Sequence, residues 1–296
     1  MPKLRTNKDR LVMMAVQGQI APPQQWEIFE VDHQGKAFAL PSTGGITYNV
    51  KVGDSAFGWA GDHIEPGVST YSDLKSSKAN AGFQFFACVG NIARLVSGEA
   101  KGKKGVVTGH HGGVEHVTID FPQDVLEKIS HEDRILIKAY GQGLSLTDFP
   151  DIRVVNLDPA LLDQMPARVD AKGLLEIGVT HIVPGAIMGC GVGSMDVGKG
   201  DYDIMTHDAG MVKKHKLDSI CFGDIVAIMD HDNTYGRTYR EGAVTIGTVI
   251  HSNSFLAGHG PGVTTLLTCA AAKIKPVLNP SANVARILKI GRYRKK

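Results

Sequence analysis

The chain has 296 residues, 43% hydrophobic and 21% charged, an ordinary composition for a soluble globular protein with room for two cores. With 32 basic against 30 acidic side chains the formal net charge is +2, which gives no electrostatic case for nucleic acid or an anionic membrane as a partner. Thirty-five glycines and only 6% aromatic residues, beside Val/Ile/Thr runs, predict short strands joined by many turns.

Residues 1–9 are polar, and the apolar run 11–16 is too short for the core of a signal peptide. No stretch approaches the length of a transmembrane helix, so the expected location is cytoplasmic. A strand is expected over 11–20, ended by Ala21-Pro22-Pro23, then a hairpin from 26–31 and 36–40 around Asp32-His33-Gln34-Gly35. A further strand is expected over 46–52. Asp62, His63 and Glu65 follow on a loop, where binding groups are commonly displayed.

Phe86, Val89, Ala93 and Val96 fall at helical spacing and predict a helix over 83–96. A short helix over 124–129 and strands over 134–140 and 152–157 come next. Ala160 opens a single helical turn stopped by Pro166. The polar stretch 158–173 is the expected boundary between an N-terminal β-rich domain (1–160) and a C-terminal one (161–296). The second half is read as strands over 174–184, 201–204, 225–229, 242–251 and 263–268, with a basic segment at 211–216. Residues 284–290 suit helix or strand equally, and the basic tail from Arg292 is expected to be solvated. The fold class expected is α+β, β-rich, two halves of short twisted strands, barrel-like, with few helices.

The densest chemistry lies in Gly109-His110-His111-Gly112-Gly113-Val114-Glu115-His116, between two β-branched runs. A two-residue turn at Gly112-Gly113 would pair His111 with Val114 and His110 with Glu115. Pleat alternation would then put His111 and His116 on one face and His110 and Glu115 on the other. Further candidates are Asp62 and His63, Asp201 and Asp203 on one strand face, His207 with Asp208, and Asp230, His231 and Asp232. Metal binding needs such side chains to converge from several segments. Eleven of the twelve histidines lie at or after His63, most with glycine or an acid next to them. The expected metal ligands are His111, His116, His63, Asp62, Asp201, Asp230 and His231, holding a divalent metal ion, with Glu115 or Asp203 as general base.

An internal rhyme links Gly53-Asp54, Asp62-His63 and His110-His111-Gly112 to Gly223-Asp224, Asp230-His231 and His251 with Gly258-His259-Gly260, which suggests duplication. No nucleophile elbow, dinucleotide fingerprint or P-loop is present in the sequence. The four cysteines show no Cys-x-x-Cys spacing; Cys190, between glycines, is a candidate nucleophile but has no histidine in its own segment and is expected to be dispensable.

The segments Thr43-Gly44-Gly45-Ile46-Thr47-Tyr48-Asn49-Val50, Gly61-Asp62-His63-Ile64-Glu65-Pro66-Gly67 and His111-Gly112-Gly113-Val114-Glu115-His116 resemble an uncharacterised prokaryotic family, domain of unknown function 4438. The resemblance covers nearly the whole chain and implies an N-terminal and a C-terminal part. A second likeness is to the acetamidase/formamidase family of metal-dependent amide hydrolases. It is carried by Gly193-Ser194-Met195-Asp196, Gly223-Asp224, Glu241-Gly242 and Gly247-Thr248-Val249-Ile250, with Ser194 and Val226 departing from that family's asparagine and histidine. The expected function is a metal-assisted hydrolase or other small-molecule enzyme acting on a polar, amide-containing substrate. The alternative is a non-enzymatic metal- or metabolite-binding protein. Exposed sheet edges in so strand-rich a chain lead us to expect a homo-oligomer.

Overall fold

A computed structural model describes residues 4–25, 27–73 and 77–295. The first half carries β1 (Met14–Ile20), β2 (Glu30–Val31), β3 (Ala37–Phe38), β4 (Ile46–Thr47) and β5 (Gly67–Ser72). After helix α1 (Ser77–Phe86) come β6 (Ile92–Leu95), β7 (Lys104–His111), β8 (His116–Asp120), the short α2 (Gln123–Leu126) and β9 (Arg134–Ala139). Strands β1, β9, β6, β7, β8 and β5 pair antiparallel in that order, and β5 returns to β1, with Gly18 opposite Ser72. Six strands therefore close into a barrel, with β4 attached outside it on β5. Closure removes the unpaired edges that an open sheet would present.

The barrel is filled by β-branched and small side chains that alternate inward: Ala93, Leu95, Val107, Val117, Ile119, Ile135 and Ile137 have no exposed surface. Each large aliphatic among them stabilises the fold by about 1.5–3 kcal/mol relative to exposure. Phe83 of α1 packs into the same core.

The second half comprises β10 (Arg153–Val154), α3 (Pro159–Leu162), β11 (Ala167–Val169), β12 (Leu175–Val179), β13 (His181–Pro184) and β14 (Tyr202–Asp203). They are followed by α4 (Ala209–His215), β15 (Ile225–Asp232), β16 (Thr238–Val249), β17 (Gly262–Cys269), β18 (Ile274–Leu278) and α5 (Val284–Leu288). One sheet runs β10-β17-β16-β15-β13, with β14 also on β17 and β13 parallel to β15. A smaller sheet, β11-β12-β18, contains a second parallel pair. The closed antiparallel barrel and these sheets do not share a topology, so the internal rhyme in the sequence has no counterpart in the strand order.

The β-rich, helix-poor architecture is as expected; several elements differ in extent. The helix expected over 83–96 ends at Phe86, and Ile92–Leu95 is barrel strand β6. Gly90 adopts φ 100, and the Val89 amide donates to the Asn156 carbonyl at 2.7 Å, so the backbone leaves the helix before Ala93. The strand expected over 46–52 is only Ile46–Thr47. The basic segment at 211–216 lies largely in α4, capped by Asp208 accepting from the Met211 amide. Residues 284–290 resolve as helix α5, capped by Asn283, and β18 was not expected. The hairpin expected around Asp32 is present as β2–β3; Trp26 lies outside the described residues. The basic tail is tied down rather than free: Arg292 pairs with Asp54 at 3.0 Å and Arg294 with buried Asp120.

Strand β7 carries the two halves together. The Thr264 hydroxyl of β17 donates to the His110 carbonyl and accepts from the His110 amide, each at 2.9 Å. Gly109 lacks the Cβ that would collide with Ile250. This close approach holds the end of β7, and with it His111, against the second sheet. Among the described residues no helix is long and apolar enough to cross a membrane.

Candidate metal centre

The histidine hairpin is wider than a Gly-Gly turn. His111 pairs directly with His116 and His110 with Val117, leaving Gly112 to Glu115 as a four-residue loop. Gly113 at φ 74 and Glu115 at φ 59 supply its left-handed positions. The expected register is therefore corrected, although His111 and His116 still share a face. Both rings present Nδ1 to Glu65: His111 at 2.9 Å, and His116 at 3.0 and 3.1 Å from its two oxygens. Glu65 also accepts from the Gly44 amide and the Ser69 hydroxyl, both at 2.7 Å. Burial alone would push the Glu65 carboxyl up, but His116 and His111 hold it well below the ordinary range.

A glutamate held on Nδ1 leaves His111 Nε2 as its remaining donor. His63 and His251 are fixed in the same manner. His63 Nδ1 meets Asp62, which itself accepts from the Phe255 amide at 2.7 Å. His251 Nδ1 faces the Ser252 carbonyl at 2.8 Å. The loop bearing His63 is clipped to the same segment by the Ile64 amide donating to Ser252 Oγ at 2.8 Å, and His63 sits at φ 51. Orienting a histidine through its far nitrogen in this way is the usual support of a metal ligand.

The free nitrogens converge on two carboxylates. Asp201 and Asp203, on one face of the strand as alternation predicts, flank His251 Nε2 at 3.0 and 3.5 Å. Asp203 also lies 3.0 Å from His259 Nδ1, which is 3.0 Å from His63 Nε2. Two sets of three result, His63/Asp203/His259 and His111/Asp201/His251, with the donor atoms of each set within 4.8 Å of one another. These buried His/Asp groups could hold metal ions. Asp201 Oδ2 and His251 Nε2 meet as an ion pair at 3.0 Å but neither makes a hydrogen bond. Gly262 makes the space for them, since a Cβ there would land on both atoms. Imidazole and carboxylate donors suit divalent zinc, manganese, iron or nickel.

The charges act in the same sense. Burial would lower the His251 pKa, yet Asp201 and Asp203 raise it well above the ordinary value. Asp203 carries His259 up to about 10. Burial would raise Asp203, but His251, His259 and His63 pull it well below its usual range. Two buried carboxylates thus draw positive charge to this point, a demand that a divalent cation would meet.

The cluster opens on a cavity of about 430 Å³, lined among others by Cys190, Lys199, Arg237 and Glu115. Of the expected ligands, His63, His111 and Asp201 are in the two sets, joined by Asp203, which was expected as a base. Asp62 and His116 stand one step behind, orienting His63 and Glu65. Asp230 and His231 do not join: a bulge in β15 and φ 56 at Asp230 turn its carboxylate to accept from the Gly242 amide at 2.8 Å. Glu115 is exposed at the cavity rim, its carboxylate accepting from Gln84. His251, His259 and Glu65 were not among the expected site residues. In the sequence Glu65 stood out only as a member of the loop with Asp62 and His63, and His251 and His259 only as members of the internal rhyme. Cys190 is exposed on the cavity wall, where His259 supplies the neighbouring histidine that its own segment lacks.

The chain belongs to the family described as domain of unknown function DUF4438, its N-terminal part matching residues 29–163 and its C-terminal part residues 164–288. It is also similar to a solved structure titled "Crystal structure of TM1086". The two are 45% identical, with a TM-score of 0.91, over 96% of this chain and 99% of that one. No curated protein matches the chain, and the likeness to acetamidases and formamidases finds no support in these comparisons.

Proposed function

We propose that the protein is a metal-assisted hydrolase of a small polar substrate. The observation that carries this reading is the convergence of six nitrogen and carboxylate donors beside an open cavity, with Asp201 Oδ2 and His251 Nε2 facing each other at 3.0 Å and neither making a hydrogen bond. His63, Asp203 and His259 would hold one ion and His111, Asp201 and His251 a second. A bound divalent ion supplies a water acidic enough to lose its proton near neutral pH, together with polarisation of a carbonyl or phosphoryl oxygen. The chain's own part is to fix the ring orientations through Asp62, Glu65 and the Ser252 carbonyl, and to keep bulk water from the buried side of the cluster. Asp203 is committed to three histidines, which leaves Glu115, on the loop beside His111, as the general base at the cavity rim. An accessible cavity favours an enzyme over a storage or structural metal site, whose coordination would be closed.

Elemental analysis and a hydrolysis screen on small amides and esters, before and after chelation, test this. The expected result is up to two ions per chain, lost in Asp203→Asn and His251→Ala, with turnover that disappears on chelation and returns on reloading. Protein that takes up no zinc, manganese, iron or nickel at micromolar concentration would refute it.

A further inference from the structure

The cavity wall holds a charge that the metal cluster does not use. Arg237 is 3% exposed, yet its guanidinium bonds only to neutral carbonyls: Lys199 at 2.8 Å, Asp196 at 3.2 Å and Gly191 at 3.5 Å. Its Nε makes no hydrogen bond, its guanidinium lies 5.5 Å over the Tyr202 ring, and among the described residues no ion pair joins it to a carboxylate. A buried cation without an anion is strongly destabilising unless the surroundings balance it. The nearest balancing charges are Asp201, Asp196 and Asp203, acting at longer range. A metal ion bound to Asp201 and Asp203 would take up that negative charge and leave Arg237 with only the exposed Asp196 to balance it.

Lys199 lines the same wall, two residues before Asp201. Its ammonium pairs at 3.2 Å with Asp196, whose side chain is 68% exposed. Such a surface pair contributes little and yields readily to a better-placed anion. Of the other acids lining the cavity, Asp62 is buried and taken up by His63, while Glu30 is half-buried and Glu115 exposed, so Arg237 and Lys199 form a basic stretch of the wall beside the carboxylates of the cluster.

We infer that Arg237 and Lys199 form a seat for an anionic group of the substrate, a carboxylate or a phosphate, placed beside the bond that the metal cluster acts on. The inference rests on the metal-centre reading, deepening it to a substrate class: a short molecule with a hydrolysable carbonyl at one end and a negative charge at the other. Planar guanidinium recognition of either anion is well suited to such a seat.

The test uses metal-loaded full-length protein and three probes of similar size: succinamate, its neutral analogue succinamide, and 3-phosphonopropanamide. Calorimetric titration is expected to show succinamate or the phosphonate bound at least tenfold more tightly than succinamide. Which of the two binds better separates a carboxylate seat from a phosphate seat. Lys199→Met should reduce the preference for the charged probe about tenfold with metal content unchanged. Arg237→Met should abolish it, but this variant also removes the clamp on the 191–199 loop, so Lys199→Met carries the decision if Arg237→Met does not fold. Equal binding of charged and neutral probes overturns the inference. A preference that survives intact in Lys199→Met belongs to the metal ions and overturns it too. Ammonia release is read separately: its absence from every probe, with charge-selective binding retained, counts against hydrolysis and not against the anion seat.

Discussion

Two polar cavities in this molecule look alike in outline and differ in how their buried groups are satisfied. The larger, about 540 Å³, is lined by His181, Ser219, Cys221 and Asp224, a set that on paper could be a nucleophile, base and acid. Its bonds are all made internally. His181 meets Thr180 Oγ1 and Ser219 Oγ, both at 2.9 Å, while the Ser219 hydroxyl donates to the Lys216 carbonyl at 2.7 Å. Asp224 accepts from the Cys221 amide at 2.9 Å and from Asn283 at 2.8 Å. A serine whose proton is held by a carbonyl is not poised to hand it to a histidine. In the His/Asp cluster, by contrast, oriented rings aim nitrogens at carboxylates, and the facing atoms Asp201 Oδ2 and His251 Nε2 make no hydrogen bond. An unpartnered nitrogen alone is no sign of function, since His110 and His231 each have one without joining a metal-holding set. The sign is convergence with nothing in between.

The contrast can be broken most forcibly at Glu65. Glu65→Gln removes the anion shared by His111 and His116 without touching a metal donor. Loss of such a support typically costs 10–100-fold in metal affinity. Competitive titration with a chromogenic chelator measures it, and wild-type affinity in this variant would show that the cluster is merely a packed polar core.

A smaller effect separates the two faces of the hairpin. His110, opposite His111, is wholly buried, and burial depresses its pKa from 6.5 to about 4. In the unfolded chain the ring protonates near 6.5, so between 6.5 and about 4 the unfolded state takes up the proton first. The stability that neutral His110 permits is therefore present above 6.5 and is lost as the pH falls toward 4. Thermal midpoints of wild type and His110→Gln across this window should show a shallower acid loss in the variant; parallel profiles would contradict the assignment.

The least effect is expected in the satisfied cavity. Ser219→Ala should change stability by less than about 1 kcal/mol and leave metal content and turnover as in wild type. Loss of turnover there would reverse the roles of the two cavities.

The sequence made part of this legible. Period-two alternation correctly put Asp201 and Asp203 on one face, because the side-chain direction of a strand is a local property. His111 and His116 were grouped correctly through the wrong register, since Glu115 takes a left-handed conformation usually left to glycine or asparagine. The false helix over 83–96 arose from four apolar residues at helical spacing, which the chain satisfies partly in α1 and partly in β6, where Ala93 and Leu95 face the barrel core. His251 and His259 could not be assigned locally. What makes them site residues is a docking of β17 on β7 across more than 150 positions, and no window of sequence contains that contact.

The centre draws His63 and His111 from the barrel half and Asp201, Asp203, His251 and His259 from the other. During synthesis the barrel strands, complete at Ala139, leave the ribosome well before the last donor does. A nascent chain therefore offers only two of the six donors for much of its translation, and thiol- or imidazole-seeking ions have no complete set to capture early. Loading of an ion would therefore be a late event, coupled to the docking of the two halves, and an ion once bound would act as a clasp across their seam.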